Sequence, residues 1–362
     1  MNIIEYVRDW YGRYERPVSS FSLFFGFIFD LLTITRLDAT WTSVYILIHI
    51  FLIGIFIIII HKHKKHRDDE NDPSKPHFWY VNILQFLFGG ILSTFLISYF
   101  RSGDIFVTWP FVVILITAFI SNETLKRHYI RLSFQISLYF FSVYSFAIFI
   151  VPILIHRIGV WVFLLSGVLS LIYISLFIRI LFRLIKDKFS DSRRSLIFLI
   201  STIFVVVNLL YFTHLIPPIP LSLKDAGAYH KIVRNSDGNY IAEYEDNGFL
   251  SYFEFYKNFK LVYGEPLYAY SAIFSPSKLN TTVIHEWQHY DEVTKKWVTE
   301  NTVDLPVIGG RGGGFRTYSV RNNLAPGKWI VNVLTDTGQL IGRLRFNIIE
   351  VETTPTLSTV IK

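Results

Sequence analysis

The stretch WTSVYILIHIFLIGIFIIII, residues 41–60, decides the class of fold to which this chain belongs. It contains no Asp, Glu, Lys or Arg. A helix needs about 20 consecutive apolar residues to cross the hydrocarbon core of a bilayer. Lipid offers no hydrogen bonds to the backbone. A single segment of this kind must therefore pair its backbone N–H and C=O groups with each other, as a helix does. The stretch therefore predicts a transmembrane helix.

Six further apolar runs surround this span and predict the rest of a helical bundle; they lie near residues 19–35, 78–100, 105–121, 132–155, 158–182 and 195–215. The first run is the weakest, because it carries Asp30. It begins late and no small-residue cleavage site follows it, so we expect it to stay in the protein as an anchor. The sequence thus predicts a transmembrane helical domain over residues 1–216, with about seven spans.

The composition separates this chain from ordinary soluble proteins. Hydrophobic residues make up 51% of the 362 residues and aromatic residues make up 17%. The long apolar runs lie before Pro217, so the excess belongs to one part of the chain. The sequence contains no cysteine, which excludes a disulfide framework.

Lys and Arg fall mainly on one set of the segments that flank the predicted spans. That set includes the N-terminal segment and carries 17 of them, whereas the opposite loops carry only three, Arg36, Arg101 and Arg157. Cytoplasmic loops of membrane proteins are enriched in Lys and Arg. We therefore expect the N-terminus in the cytoplasm and the region after the last span outside it.

The region from residue 217 to residue 362 is neutral, with 15 basic and 15 acidic residues. The formal net charge of +7 therefore belongs to the membrane half of the chain. We interpret it as basic loops that contact the bilayer and its anionic headgroups, and not as a nucleic-acid-binding surface. The loop HKHKKHRDDENDPSKPH, residues 61–77, is typical of a solvated topology determinant, although its histidines could also suggest a metal site or a pH sensor.

A change of hydrophobic period follows the last apolar run. Three prolines in LIPPIPLS predict an extended linker over residues 217–225. Alternating patterns then follow, with turn signals such as Asp237-Gly238. We predict an antiparallel, all-β, sandwich-like domain over residues 226–352 and a tail over residues 353–362.

The last predicted hairpin shows the alternation most clearly. Its first strand places Trp329, Val331 and Val333 on one face. A turn at 336–338 follows, and the returning strand presents apolar residues on the same face. Its other face, which we expect to point to water, carries Arg343, Arg345 and Asn347.

The segment VIHEWQHY contains the spacing H-E-x-x-H at His285, Glu286 and His289. On a helix this spacing holds a zinc ion between the two histidines while the Glu activates a water. A third ligand must come from elsewhere, and Glu300 is the candidate. A membrane-tethered zinc hydrolase is therefore one alternative for this chain.

The residues around this spacing favour a strand instead. The β-branched side chains of TTVI precede it, and further β-branched residues follow in KWVTENTV. On a strand Glu286 points away from both histidines, so the geometry of a zinc peptidase is lost. This interpretation places Trp287 in the core and leaves His285 and His289 packed or exposed.

The segment VIGGRGGGFRTYS, residues 307–319, has five glycines around Arg311. Such a segment can cradle an anion with backbone N–H groups, or it can form a tight loop or bulge that requires glycine. Arg316 is either a buried hydrogen-bonding or stacking residue near Tyr318 or Trp287, or a ligand contact. Our candidate contacts for a ligand or partner are His285, Trp287, Arg311, Arg316 and Tyr318.

The C-terminal third resembles a bacterial domain family of unknown function that is found at the C-terminus of multi-pass membrane proteins. The resemblance covers roughly residues 265–350. It rests on IHEWQHYDEVTKKWV, LPVIGGRGGGFRTYS and APGKWIVNVLTDTGQLIGRLRFNI, and GFIFDLLTITRLD resembles the first span of the same architecture. The family's signature would fall on His285, Trp287, Arg316, Ser319, Trp329, Gly338 and Gly342. The resemblance implies an all-β outer domain and a bacterial cytoplasmic (inner) membrane, and it implies no activity.

Asp30 is a carboxylate within a predicted span. Intramembrane charges are costly and usually have a partner or a function. Asp30 could couple an ion to transport or signalling, or it could form a hydrogen bond within the bundle or pair with Arg36.

These observations predict a non-enzymatic membrane protein without a cofactor. We expect its outer domain to bind an envelope protein or a glycan, with the helical bundle as the anchor. A transporter or sensor that uses Asp30 is the first alternative, and the zinc hydrolase is the second.

Overall fold

The computed structural model describes residues 14, 21, 24–33, 40–62, 76–102, 104–124, 132–185, 193–218, 220–236, 238–245, 248, 254–275, 281–307 and 314–362. The chain divides into two compact units. The helical unit comprises residues 1–100 and 108–216, and the β unit comprises residues 101–107 and 217–362.

Seven helices lie in the described part of the first 216 residues. They are α1 Phe24–Thr33, α2 Thr40–Lys62, α3 Pro76–Arg101, α4 Ile105–Thr124, α5 Leu132–Ile155, α6 Val160–Leu184 and α7 Arg193–Phe212. Five of them, α2, α3, α5, α6 and α7, are long and apolar enough to cross a membrane. The predicted spans at 19–35 and 105–121 correspond to shorter apolar helices, α1 and the Phe106–Asn122 part of α4.

Helix α5 forms the core of the helical unit. Every residue from Gln135 to Phe149 is buried, as expected for a helix that is apolar on all sides. The Tyr139 hydroxyl donates to the Ile50 carbonyl of α2 over 3.0 Å and lies 2.6 Å from the Tyr173 hydroxyl of α6. Gly54 permits this approach, since a Cβ there would lie 2.9 Å from the Tyr139 hydroxyl.

The β unit contains eleven described strands. They are β1 Ser222–Tyr229, β2 Lys231–Arg234, β3 Tyr240–Glu245, β4 Lys257–Leu261, β5 Leu267–Phe274, β6 Thr281–Asp291, β7 Lys296–Val307, β8 Phe315–Arg321, β9 Gly327–Thr335, β10 Leu340–Glu350 and β11 Leu357–Ile361. The β-rich region predicted from the alternating patterns is confirmed. The turn between β9 and β10 uses Gly338 at a φ of 83°, a value that favours glycine.

The strands form three sheets. Sheet one has the order β1-β5-β8, sheet two β4-β10-β9-β6-β7 and sheet three β11-β3-β2. Side chains of β6 in sheet two bond to β5 and β8 of sheet one. The opposite face of sheet one packs a tyrosine-rich cluster that includes Tyr229, Tyr270, Ile232 and Ala242 against sheet three. Sheet one is therefore the middle layer.

Several predicted features of this region are corrected. Strand β1 begins at Ser222, inside the predicted linker 217–225, because its residues pair antiparallel with β5. Part of the predicted tail 353–362 is strand β11, which pairs with β3. Sheet two is mixed and not purely antiparallel, because β4 runs parallel to β10.

Candidate functional site

The H-E-x-x-H spacing lies on strand β6. His285 and Trp287 are both fully buried and share one face with Val283, while Glu286 lies on the opposite face. The prediction of a strand at this position is confirmed. The helical arrangement that a zinc peptidase requires is therefore wrong for this segment.

His285 is the centre of a buried polar network between sheets one and two. Its Nε2 lies 2.8 Å from Ser271 Oγ of β5, and its Nδ1 lies 2.9 Å from Ser319 Oγ of β8. Trp287 Nε1 donates to the same Ser319 oxygen over 2.9 Å. A neutral imidazole satisfies both serine contacts by donating from one nitrogen and accepting at the other. Burial lowers the pKa of His285 to about 4, so the ring is neutral at pH 7.

The other residues of the zinc alternative have separate partners. His289 packs against the Trp329 ring, with 4.6 Å between ring centroids. Glu300 accepts a hydrogen bond from Arg321 Nη2 over 3.1 Å. Glu286 accepts from Asn332 Nδ2 over 2.8 Å. Among the described residues, no group of three or more His, Asp or Glu side chains comes close enough to hold a metal ion.

Arg316 and Tyr318 lie on the face of β8 opposite to Ser319, toward sheet three. Arg316 Nη1 donates to Asn239 Oδ1 over 3.0 Å and to the Lys362 carbonyl over 2.8 Å. Tyr318 packs against the rings of Tyr240 and Tyr268. The structure thus separates this pair from His285 and Trp287 by the thickness of sheet one. Arg311 lies outside the described residues.

Asp30 lies on α1 in the helical unit, within electrostatic range of His49 on α2. The Nδ1–H of His49 donates to the Tyr45 carbonyl over 2.9 Å, and its ring packs on the Tyr45 ring. The structure therefore gives Asp30 a neighbour that the sequence had not suggested. Arg36, the predicted partner, lies outside the described residues.

A cleft in the β unit was missed in the sequence. It has a volume of about 530 Å³. Its walls come from strand β1, the start of β4, the middle of β10 and the ends of β3 and β11. Charged and aromatic side chains line it, namely Asp225, Tyr229, Tyr244, Glu245, Glu254, Phe255, Lys257, Phe259, Arg343, Arg345 and Lys362. The volume lies in the range of ligand sites, although charged side chains are more numerous here than in most of them.

Several of the charged groups in the cleft are held in place by partners. Lys362 Nζ donates to Asp225 Oδ2 over 2.7 Å, and this bond joins sheets three and one. Glu245 Oε1 accepts from the Lys260 backbone N–H over 2.6 Å and lies 3.1 Å from His230 Nε2. The cleft is thus built of side chains fixed by hydrogen bonds.

Two arginines of β10 occupy the wall of this cleft, and their predicted environment is wrong. Alternation correctly placed Arg343 and Arg345 opposite the apolar face, but both are half-buried and not directed into bulk water. Arg343 Nε donates to Asn332 Oδ1 over 2.6 Å, and the Arg345 guanidinium stacks 4.7 Å from the Phe255 centroid. Asn347 bonds to Asn258 on β4. Two arginines on one strand face were the only local signal of this site.

Comparison with known proteins gives a family for part of the β unit. Residues 280–348 match the family described as "Protein of unknown function (DUF2914)". The chain thus contains a C-terminal domain of unknown function, which includes β6 to β9 and all of β10 except its last two residues. The match leaves out β1, β4 and β11, which contribute walls of the cleft.

No curated protein matches the sequence. Among solved structures, one similar chain is the alkylpurine DNA glycosylase AlkC of Pseudomonas fluorescens, bound to DNA containing an abasic site analogue. The identity is 7%, the match covers 86% of this chain and 99% of that chain, and the TM-score is 0.21. A likeness at that level says nothing about the fold or the activity of this protein.

Proposed function

We propose that this protein is an integral membrane protein whose β unit binds a ligand of the cell envelope, a protein or a glycan. The cleft of about 530 Å³ is the observation that carries this proposal. It offers cations, anions and aromatic rings in one concave surface, and charged groups bind polar ligands through charge-assisted hydrogen bonds.

We propose a binding role and not a catalytic one. The Ser–His pairs of the β unit could suggest a nucleophile and its base, but His285 and Ser271 have no exposed surface. Both ring nitrogens of His285 are already engaged by serines. A base must reach the substrate or its nucleophile, and this network joins two sheets instead.

We further propose that the chain lies in a bacterial cytoplasmic membrane, with its N-terminus in the cytoplasm and its β unit outside. The 17 to three distribution of basic residues around the predicted spans supports this orientation. With the five long apolar helices, α1 and α4 would complete about seven spans, and the three sheets would form a sandwich-like domain.

Site-specific photo-crosslinking in intact cells tests the role of the cleft. A photoreactive phenylalanine replaces Lys257, an exposed residue on the cleft wall, in the full chain. The matched control replaces Lys296, an exposed lysine at the start of β7 that does not line the cleft. We expect a discrete adduct from position 257 alone. Equal labelling from both positions, or none from either, would contradict the proposal.

A second candidate function is ion-coupled transport or sensing in the helical unit. The proximity of Asp30 to His49 favours it, because two ionisable groups from different helices can share a proton within a bundle. In proteoliposomes with a pH-sensitive dye, Asp30→Asn should then abolish proton flux. The control is Asn82→Ala, since Asn82 bonds to the carbonyl of Phe78 in its own helix. Wild-type liposomes without flux would remove this candidate.

A further inference from the structure

Arg343 is a residue of the cleft wall that leaves most of its hydrogen-bond donors unused among the described residues. A guanidinium carries five N–H donors in a fixed planar fork. In the described part of the chain, Arg343 makes one hydrogen bond, from Nε to Asn332 Oδ1 over 2.6 Å. The donors of its two terminal nitrogens therefore remain available to a ligand.

Asn332, which accepts the hydrogen bond from Arg343, is held in place by further hydrogen bonds. Asn332 Nδ2 donates to Glu286 Oε2 over 2.8 Å, and Glu286 Oε1 accepts from Thr299 Oγ1 over 3.1 Å. These bonds run across sheet two from β10 through β9 and β6 to β7. Because Nε is fixed at the end of this row, the fork keeps one orientation and loses little freedom on binding.

The electrostatic environment of Arg343 favours an added negative charge. Burial, and after it the neighbouring Arg345, lower the pKa of Arg343, because each opposes its positive charge. Asp104, Tyr256 and Glu286 act in the opposite direction but do not reverse this shift. Arg345 has its own acidic partner, Asp104 of the same unit, with Nη2 3.4 Å from Oδ2. Arg343 has no ion pair of this kind among the described residues, although it is half-buried. The acidic groups near Arg343 act on it at a distance and form no direct ion pair with it among the described residues, so an oxyanion in direct contact would add stabilisation.

We propose that Arg343, with Arg345 beside it, binds an oxyanion of the ligand, a carboxylate or a phosphate group. This inference rests on the proposed function of the cleft. The planar fork of Arg343 matches two oxygens of such a group, which gives two parallel charge-assisted hydrogen bonds. An acidic saccharide, a glycan as proposed above, carries such a group. The phosphate of a lipid headgroup presents the same chemistry from a different source, which the experiment must distinguish.

Isothermal titration of the full chain in nanodiscs of phosphatidylcholine tests the proposal. One arm compares a galacturonate oligomer with a neutral galactose oligomer. The other compares glycerophosphoglycerol, the soluble part of an anionic headgroup, with glycerophosphocholine. We expect an anionic probe to bind more tightly than its neutral counterpart. The arm in which this occurs identifies the source of the oxyanion.

The variants Arg343→Gln and Arg343→Lys then assign the contact. Loss of a charge-assisted hydrogen bond should weaken the binding of the anionic probe to Arg343→Gln by about tenfold or more. Arg343→Lys keeps the charge without the fork and should lose less. Arg234→Gln, an exposed arginine on β2 outside the cleft, is the matched control and should change the affinity by less than about twofold.

The outcomes separate the inference from the proposed function. If anionic and neutral probes bind equally and Arg343→Gln binds like the wild type, the oxyanion contact is wrong while the cleft remains a binding site. If no probe binds the wild type, the inference of an oxyanion contact is also wrong. The proposed binding function of the cleft is then decided only by whether position 257 gives a crosslinked adduct.

Discussion

The helical unit and the β unit differ in the share of polar side chains that bond within their own helix or strand. In the helical unit the hydroxyls of Thr94, Ser142, Ser166 and Ser170 each donate to the carbonyl four residues earlier in the same helix. In the β unit the His285 network joins residues 14 and 34 positions apart, and Arg316 reaches a partner 77 positions away. The helical unit therefore combines bonds within one helix with bonds between helices, such as that from Tyr139 to the Ile50 carbonyl. The buried His285 network of the β unit instead joins separate strands.

This difference follows from the surroundings that we propose for each unit. A helix in lipid must satisfy its own polar groups before it meets a neighbour, so local bonds are favoured. A β unit in water can leave polar groups hydrated until its sheets close, so bonds between sheets are tolerated. The following predictions test or refine this contrast.

The largest expected effect concerns the two sides of the membrane. The chain has no cysteine, so a single introduced cysteine is a clean label. Val293, at the exposed tip of the β6–β7 turn, and Lys62, at the exposed end of α2, are suitable positions. In intact cells a membrane-impermeant maleimide should label Val293→Cys and should label Lys62→Cys only after permeabilisation. The reverse pattern would contradict the proposed orientation.

The next effect is on the stability of the β unit. Trp287→Ala removes a fully buried indole from the core, together with the N–H that it donates to the Ser319 hydroxyl. Changes of this kind cost about 3–5 kcal/mol of unfolding free energy. Pulse proteolysis of the full chain in urea, followed with an antibody to the β unit, measures the loss. Trp297→Ala, at a half-buried position beside Tyr290, is the control and should cost clearly less.

A smaller effect is the pH dependence of the same unit. The pKa of His285 is about 4 in the folded chain and 6.5 for an unperturbed imidazole, so the unfolded state binds more protons between these values. The stability contributed by the neutral ring is present above about pH 6.5 and is lost as the pH falls toward 4. The full loss is about 3 kcal/mol.

Denaturation midpoints measured between pH 7 and pH 4 test this prediction. His285→Gln should flatten the slope in this window, whatever it does to the stability at pH 7. His289→Gln is the matched control, since His289 lies on the same strand outside the buried network, and it should keep the slope. A slope that survives in His285→Gln would assign the effect to another group.

The smallest effect is expected in the helical unit. Tyr139→Phe removes the hydrogen bonds to the Ile50 carbonyl and to the Tyr173 hydroxyl. Hydrogen bonds between membrane helices contribute modestly, so we expect a loss of about 1 kcal/mol in thermal stability measurements in detergent. Tyr173→Phe keeps the bond between Tyr139 and Ile50 and should cost less. A loss as large as that of Trp287→Ala would contradict the contrast between the units.

The local features of this chain were predictable from its sequence. The apolar runs predicted the long helices because span length and composition are properties of a single segment. The strand state of His285 and the β9–β10 hairpin followed from β-branched residues, alternation and a glycine turn. Each of these signals lies within about a dozen residues, the range over which periodicity can be recognised.

The cleft and the third sheet were not predictable in this way. Leu357 of β11 pairs with Glu245 of β3, and no turn signal next to either strand reveals the partner. Lys362 and Asp225 meet across 137 positions of sequence. The charge of Arg343 suggested a solvated face. Its actual burial depends on residues from other strands, which the local pattern does not show. The face of a strand on which a side chain lies can be predicted from the local sequence. The side chains that surround it in the folded protein cannot, because they come from distant parts of the chain.

The parallel pairing of β4 with β10 has a consequence for how the protein is made. Asn258 and Asn347 lie side by side although they are 89 positions apart in the sequence. The pairing of β4 with β10 in sheet two therefore cannot form until both strands have been synthesised. Chains dominated by such distant pairings fold slowly, whereas helices form in microseconds or less. If the long helices span a membrane as proposed, we expect them to form and insert before the strands of the cleft have paired. Until that pairing is complete, the exposed strands are prone to aggregation.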